Sequence, residues 1–352
     1  MIRADEGLAF LLRYENIAWY EGGSVRILDR RVYPMKTEFV TCRSHADVAA
    51  AIRDMVTQSG GPYTAAAMGM ALAAHECRDK SEAEKRRYLE AAAHTLSHAR
   101  PTTVSKMEAV TARALRAAER AMAEGGDVSA AIFEGALADL NEKYRRHEAA
   151  GRVLAAKIPR GGTVMTQCFG ETIVGMLLRA CREAGNDISV ICPETRPYYQ
   201  GARLTASCVR DMGFPVTVIT DNMPGYVLAK KNVDLFTSAA DVICMDGHIV
   251  NKIGTFQIAL AAHYHGIPYF VTGTPQRAHP DMSSVTIEER DPAQTTESLG
   301  QTTVMEGVSG YYPAFDITPP HLCAGVVTDR GMFSPFDLPS YYTDGGEEEL
   351  AP

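Results

Sequence analysis

Residues 163–213 read TVMTQCFGETIVGMLLRACREAGNDISVICPETRPYYQGARLTASCVRDMG. Short β-rich runs, TVMTQCF and DISVICPE, alternate here with stretches whose apolar residues recur at helical spacing. The alternation continues through PVTVIT (215–220), a short helix near Met223, VDLFTSAAD (233–241), NKIGTFQIALAAHYHG (251–266) and IPYFVTG (267–273). Strands that alternate with helices build a parallel sheet covered on both faces. The pattern predicts a doubly wound α/β domain over 151–352, with its ligand outside the carboxyl ends of the strands.

Upstream the texture differs. Ile17-Ala18-Trp19-Tyr20 and Val25-Arg26-Ile27-Leu28 flank Glu21-Gly22-Gly23-Ser24, which predicts a β-hairpin. From Ser44 to about Ala149, runs such as AAAMGMALAAHE and VTARALRAAERAMAE repeat apolar residues at helix spacing. Residues 1–150 are therefore expected to form a small helical domain entered through a hairpin.

The chain has 352 residues, 46% hydrophobic and 22% charged, so each half can bury its own core. A net charge of −8 argues against non-specific nucleic-acid binding, yet allows a locally positive pocket for a small anion. Eight scattered cysteines without a C-x-x-C pair read as reduced cytosolic thiols. The apolar run from Gly7 to Leu12 is too short for a secretory signal, and no stretch is long enough to span a membrane. A cytoplasmic protein is expected.

Cys168 ends the first β run just before a helix, where strand end and helix dipole would favour a reactive thiolate; the alternative is a buried small hydrophobe. Asp241 ends VDLFTSAAD beside Ala239 and Ala240, which would desolvate its carboxyl and suit it to general-acid work. Asp246 competes, but its Asp-Gly sequence is that of a turn. Asn251 is expected to cap the next helix, with Lys252 beside free N–H groups suited to phosphate. A second loop-to-helix junction holds Arg196, Gln200 and Arg203, and its two arginines and amides suit a sugar phosphate. The loop Gln58-Ser59-Gly60-Gly61-Pro62 would let backbone approach an anion closely. His94 and His98 sit four apart on a helix without an evident third metal ligand. Neither a dinucleotide fingerprint nor a phosphate loop with its lysine is present, so no metal or organic cofactor is expected.

The segments CPETRPYYQGARLTA, VITDNMPGY, DGHIVNKIGTFQIALAAHYHGIPYFV, IEERDP (Ile287–Pro292) and YYPAFDITPPHLCAGVVTDRG resemble the methylthioribose-1-phosphate isomerase family. That family is grouped with ribose-1,5-bisphosphate isomerases and with regulatory subunits of the translation-initiation exchange factor. The resemblance runs from about Trp19 to Gly331. It implies a helical N-terminal domain, a Rossmann-like C-terminal domain, a homodimer, and aldose-to-ketose conversion of a phosphorylated sugar in methionine salvage. It implies Cys168 and Asp241 as the catalytic pair, with Gln200, Arg203, Asn251, Lys252 and, in Arg100-Pro101-Thr102, Arg100 holding substrate. The chain departs from the family twice. Gln58-Ser59-Gly60-Gly61-Pro62 replaces Arg-Gly-Ala-Pro, and Phe169-Gly170-Glu171 replaces Asn-Thr-Gly after the cysteine. The expected substrate is therefore methylthioribose 1-phosphate or a related 5-substituted or 5-deoxy ribose 1-phosphate. The alternatives are a ribose-1,5-bisphosphate isomerase, with Lys106 or Arg13 for the second phosphate, and a non-catalytic subunit sensing sugar phosphates or nucleotides.

Overall fold

The computed structural model describes residues 3–100, 104–230 and 232–343. The chain divides into two compact units, the first ending at Arg145 and the second starting at Arg146. The division falls within a 28-residue helix, α5 (Val128–Ala155), which also contains residue 150, the boundary expected from sequence.

The first unit opens with an antiparallel sheet of β1 (Ala18–Glu21), β2 (Ser24–Leu28) and β3 (Phe39–Cys42). Gly22 and Gly23 form the β1–β2 turn, both at positive φ (56° and 75°), as a tight hairpin that follows the strand twist requires. Helix α1 (His45–Arg53) starts with a reciprocal Ser44/Asp47 capping box. Next come α2 (Gly61–Glu76), α3 (Glu82–Ser97) and α4 (Val104–Ala123). Helix α2 is apolar all round because it is the centre of the unit: Met68, Met70, Leu72 and four neighbouring alanines are fully buried.

The second unit is the predicted doubly wound α/β fold. Its elements are β4 (Thr163–Met165), α6 (Thr172–Glu183), β5 (Ser189–Pro193), α7 (Ala206–Asp211), β6 (Val216–Ile219), α8 (Pro224–Lys230) and β7 (Leu235–Ala239). Then follow β8 (Val242–Ile243), β9 (Ile249–Lys252), α9 (Thr255–Tyr264), β10 (Tyr269–Thr272), α10 (Ala293–Thr296), β11 (Glu297–Ser298) and β12 (Gln301–Thr302). The unit closes with β13 (Phe315–Thr318), β14 (Gly325–Thr328), β15 (Gly331–Phe333) and α11 (Pro339–Thr343). The main sheet has the order β6-β5-β4-β7-β10-β14-β15, with only β15 antiparallel. The chain winds outward from β4 to β6, returns to β7 on β4's other side, and winds outward again. This Rossmann-like order puts the topological switch between β4 and β7. A smaller antiparallel sheet, β13-β9-β8, is built from the excursion between β7 and α9 and from a later segment. Among the described residues no helix is long and apolar enough to cross a membrane.

Gly151 of α5 lies against the backbone of α6: a Cβ there would stand 2.8 Å from Met176 C and 3.0 Å from Leu177 N. Gly151→Ala should therefore cost about 1–2 kcal/mol, overpacking outweighing the roughly 1 kcal/mol gained in helix propensity. Thermal unfolding followed by circular dichroism would show it as a lower midpoint.

Candidate active site

The chain leaves β4 at Met165 and bends at Cys168, whose φ is 59°. A left-handed cysteine is strained, and two side chains hold it there. Cys168 N–H donates to Thr195 Oγ1 (3.2 Å), and Thr205 Oγ1 donates to the Cys168 carbonyl (2.5 Å). Thr195 is itself at φ 63° and Glu171 at φ 50°, so strain concentrates around the thiol. Helix α6 begins only at Thr172, four residues beyond Cys168. Burial pushes the Cys168 thiol up to about 11, opposed first by the charge of Lys252 and then by the Phe169 N–H, while Asp241 pushes it further up. Burial therefore favours the thiol over the thiolate expected from sequence.

Asp241 follows β7 by two residues, its N–H donating to the Val250 carbonyl (2.9 Å) and its own carbonyl accepting from Gln276 Nε2 (3.2 Å). The expected desolvation is absent: Asp241 is exposed, and Ala239 and Ala240 are only half-buried. Asp246 sits in a turn closed by Gly247 (φ 88°) and accepts from His248 N–H (3.1 Å), with His248 Nδ1 2.9 Å away.

Asn251 and Lys252 do not start a helix; they end β9. Helix α9 begins at Thr255 behind Gly254 (φ 101°), and its amino end is already occupied by a carboxylate. Asp316 Oδ2 accepts from Gly254 N–H (2.7 Å) and Phe256 N–H (3.2 Å). That interaction removes the phosphate site expected there, since an internal anion satisfies the exposed donors. Asn251 Nδ2 donates to Thr255 Oγ1 (3.0 Å). Lys252 is buried, its Nζ 4.5 Å from the Phe315 ring centroid. Burial pulls its pKa down, and the neighbouring Cys168 opposes this.

Gln200 is buried at the start of a π-turn (Gly201–Thr205) that packs so closely on β5 that a Cβ on Gly201 would meet the Pro193 carbonyl at 1.8 Å. Arg203 Nη1 donates to the Tyr198 carbonyl (3.0 Å). Arg196 is not available as expected for phosphate: it donates to Tyr199 Oη (2.8 Å) and to the carbonyls of Gln294 (3.3 Å) and Glu297 (2.6 Å). Two amide oxygens, Gln167 Oε1 and Gln200 Oε1, are buried without a hydrogen-bond partner, an arrangement common where a ligand supplies one.

In the first unit, Gly60 and Gly61 stand at the amino end of α2. A Cβ on Gly61 would lie 1.9 Å from Thr57 Oγ1, so only glycine fits. Beneath this loop the fully buried Arg30 donates to the Gln58 carbonyl (2.6 Å). Arg100, half-buried, follows α3; Pro101 and Thr102 lie outside the described residues. The rings of His94 and His98 stack at 4.0 Å, and among the described residues no group of three His, Cys, Asp or Glu could hold a metal.

Sequence reasoning passed over Gln167, Thr195, Phe315 and Arg290. The last was visible only as part of IEERDP, and its place beside Phe315 depends on strand pairing far along the chain.

The sequence profile of the Initiation factor 2 subunit family matches residues 59–335. The chain belongs to that family. It is 37% identical over 334 residues to the methylthioribose-1-phosphate isomerase of Pelotomaculum thermopropionicum, covering 91% of each. It is 35% identical over 350 residues to that of Roseiflexus castenholzii, covering 94% of this chain and 98% of the other. Among solved structures it is similar to 5-methylthioribose 1-phosphate isomerase from Pyrococcus horikoshii: TM-score 0.84, 28% identity, 94% of this chain and 96% of that one. It is also similar to translation initiation factor eIF-2B, subunit delta, from A. fulgidus: TM-score 0.79, 30% identity, 93% and 97%. The identity and coverage shared with the curated isomerases make this chain an isomerase.

Two measurements follow from this geometry. Cys168 is half-buried while the other seven cysteines are buried, so iodoacetamide should label Cys168 first. The rate should keep rising beyond the ordinary thiol range, toward about 11, and vanish in Cys168→Ser. Asp316 is raised from 3.8 to about 6 by burial, so the folded state holds its proton more tightly than the unfolded chain. Stability should then fall as pH rises from about 4 to 6, and Asp316→Asn, which keeps an acceptor oxygen, should flatten that slope in denaturant titrations.

Proposed function

We propose that this isomerase converts methylthioribose 1-phosphate, or a closely related 5-substituted or 5-deoxy ribose 1-phosphate, to the ketose 1-phosphate. We further propose that it works in the cytosol as a homodimer, with Cys168 and Asp241 exchanging protons with the sugar. The observation that carries the reading is the position of the two residues. Cys168 follows β4 and Asp241 follows β7, the two strands that flank the topological switch, and both act electrostatically on Lys252.

An aldose 1-phosphate has its anomeric oxygen blocked, so the ring cannot open to a free aldehyde. Asp241, its carboxyl desolvated once a sugar covers it, donates a proton to the ring oxygen as the C1–O bond breaks. The electron-poor C1 acidifies the C2 proton, which Cys168 removes to give an enol phosphate, acting in the minor thiolate form that the charge of Lys252 stabilises. The Cys168 thiol returns that proton to C1 while Asp241 takes the C2 hydroxyl proton, which leaves a ketone at C2 and both residues as they began. A C2-to-C1 hydride shift, with the pair handling only oxygen-bound protons, gives the same product. Lys252 and Arg203 fix the phosphate, and Gln200 and Asn251 bind the hydroxyls.

The test is thermal stabilisation by methylthioribose, 5-deoxyribose and ribose 1-phosphates and ribose 1,5-bisphosphate, followed by a ketose assay. A ligand at about a hundred times its dissociation constant should add roughly 2.7 kcal/mol. Cys168→Ser and Asp241→Asn should each lower turnover by about 10²–10⁴-fold while the ligand-induced shift persists. Undiminished turnover in either variant would remove that residue from the mechanism. Stabilisation without turnover in the native chain would favour a sensing subunit, the reading to which the likeness to the A. fulgidus subunit points.

A further inference from the structure

Arg290 belongs to none of the groups assigned above. A non-local ladder fixes its place. Arg290 N–H donates to the Tyr312 carbonyl (2.9 Å), Ala314 N–H to the Glu288 carbonyl (2.8 Å), and Ile253 N–H to the Ala314 carbonyl (3.1 Å). Phe315 pairs in register with Lys252 across β13 and β9. Two cations thus meet one ring, Lys252 Nζ at 4.5 Å and Arg290 Cζ at 5.5 Å from the Phe315 centroid, with Tyr198 6.0 Å from Arg290. Both oxygens of Glu288 accept from Arg290, at Nε and Nη2, each at 2.9 Å. The Arg290 side chain is only 10% exposed, so its field is weakly screened.

We propose that Arg290 is a positioning residue of the isomerase: paired with Lys252 across Phe315, its permanent charge favours negative charge at Cys168, and Glu288 sets how much of that charge is felt. The inference rests on Cys168 being the reactive thiol. The charged and titratable groups that face the pair are Lys252, Asp241 and Arg290 at Cys168, Glu288 near Lys252 and Arg290, and Tyr198 and Tyr312 beside Arg290. Among them burial pulls the Lys252 pKa down, whereas a guanidinium keeps its proton at any working pH. Arg290 is thus the more permanent of the two cations.

Arg290→Met and Glu288→Gln break the same ion pair but change the local charge in opposite directions. The experiment follows iodoacetamide labelling of Cys168 in the full chain between about pH 7 and pH 10, with Cys168→Ser as the blank. Thiolate fraction sets the rate below the thiol pKa, and one pKa unit is tenfold. Arg290→Met should label about three- to tenfold more slowly and Glu288→Gln about three- to tenfold faster, while Arg290→Lys stays within about twofold of native. Circular dichroism establishes that each variant is folded; if Arg290→Met is not, Glu288→Gln and Arg290→Lys decide the sign. Equal shifts in the same direction, or no shift, would overturn the proposal, because a merely structural ion pair is lost in both variants. Labelling needs no substrate, so this result stands apart from the turnover assay that judges the isomerase reading.

Discussion

The chemistry of the second unit depends on the parallel pairing of β4 with β7, in which Val164 meets Leu235 and Met165 meets Phe236. The chain reaches β7 only after running out to β6 at the sheet edge, so the loops that leave β4 and β7 diverge toward opposite faces. A crevice between diverging loops follows from topology alone. One wall carries Cys168 and the other leads to Asp241. The antiparallel excursion through β8 and β9 then carries Lys252 back beside the thiol.

Around this crevice the chain breaks local rules repeatedly. Non-glycine residues at positive φ gather at Cys168, Glu171 and Thr195, where glycine would cost less. Charge is withdrawn from water too: Lys252 is buried under Phe315, and the half-buried Asp316 lies against the start of α9. Each such feature lowers stability, and Cys168 and Asp316 are held by hydrogen bonds with distant segments. Disagreement between local preference and the observed backbone is expected at functional sites.

That pattern explains what was legible. The alternation of strand and helix, the Gly22-Gly23 hairpin and the helical block depend on near neighbours, so periodicity and turn chemistry revealed them. Cys168 and Asp241 were readable as the residues beyond two apolar runs, because a strand's carboxyl end is a local fact. The environment of each was not. Asn251 and Lys252 looked like a helix start because Gly254 and a clear helical run follow them, yet Ile249 and Val250 draw them into β9 against β13. The residue that caps α9, Asp316, comes from beyond three further strands, and no window around Asn251 contains it. Arg290 was hidden for the same reason, since its partner ring enters only through the β9–β13 register.

Removing α9 as an anion site changes what the crevice asks of a ligand. The cations proposed to meet the phosphate are then side chains, Lys252 and Arg203, rather than a helix terminus. Two of the crevice's unfilled polar atoms are amide acceptors. Gln167 Nε2 donates to the Ile253 carbonyl (3.1 Å), which fixes that amide and leaves Oε1 buried without a donor. Gln200 Oε1 is in the same state. Buried acceptors gain most from hydroxyl groups, and cations from a phosphate. A phosphorylated polyol such as an open-chain pentose phosphate supplies both, whereas inorganic phosphate alone would leave the amides unsatisfied. The polar arrangement therefore favours a sugar phosphate through its hydroxyls as much as through its charge.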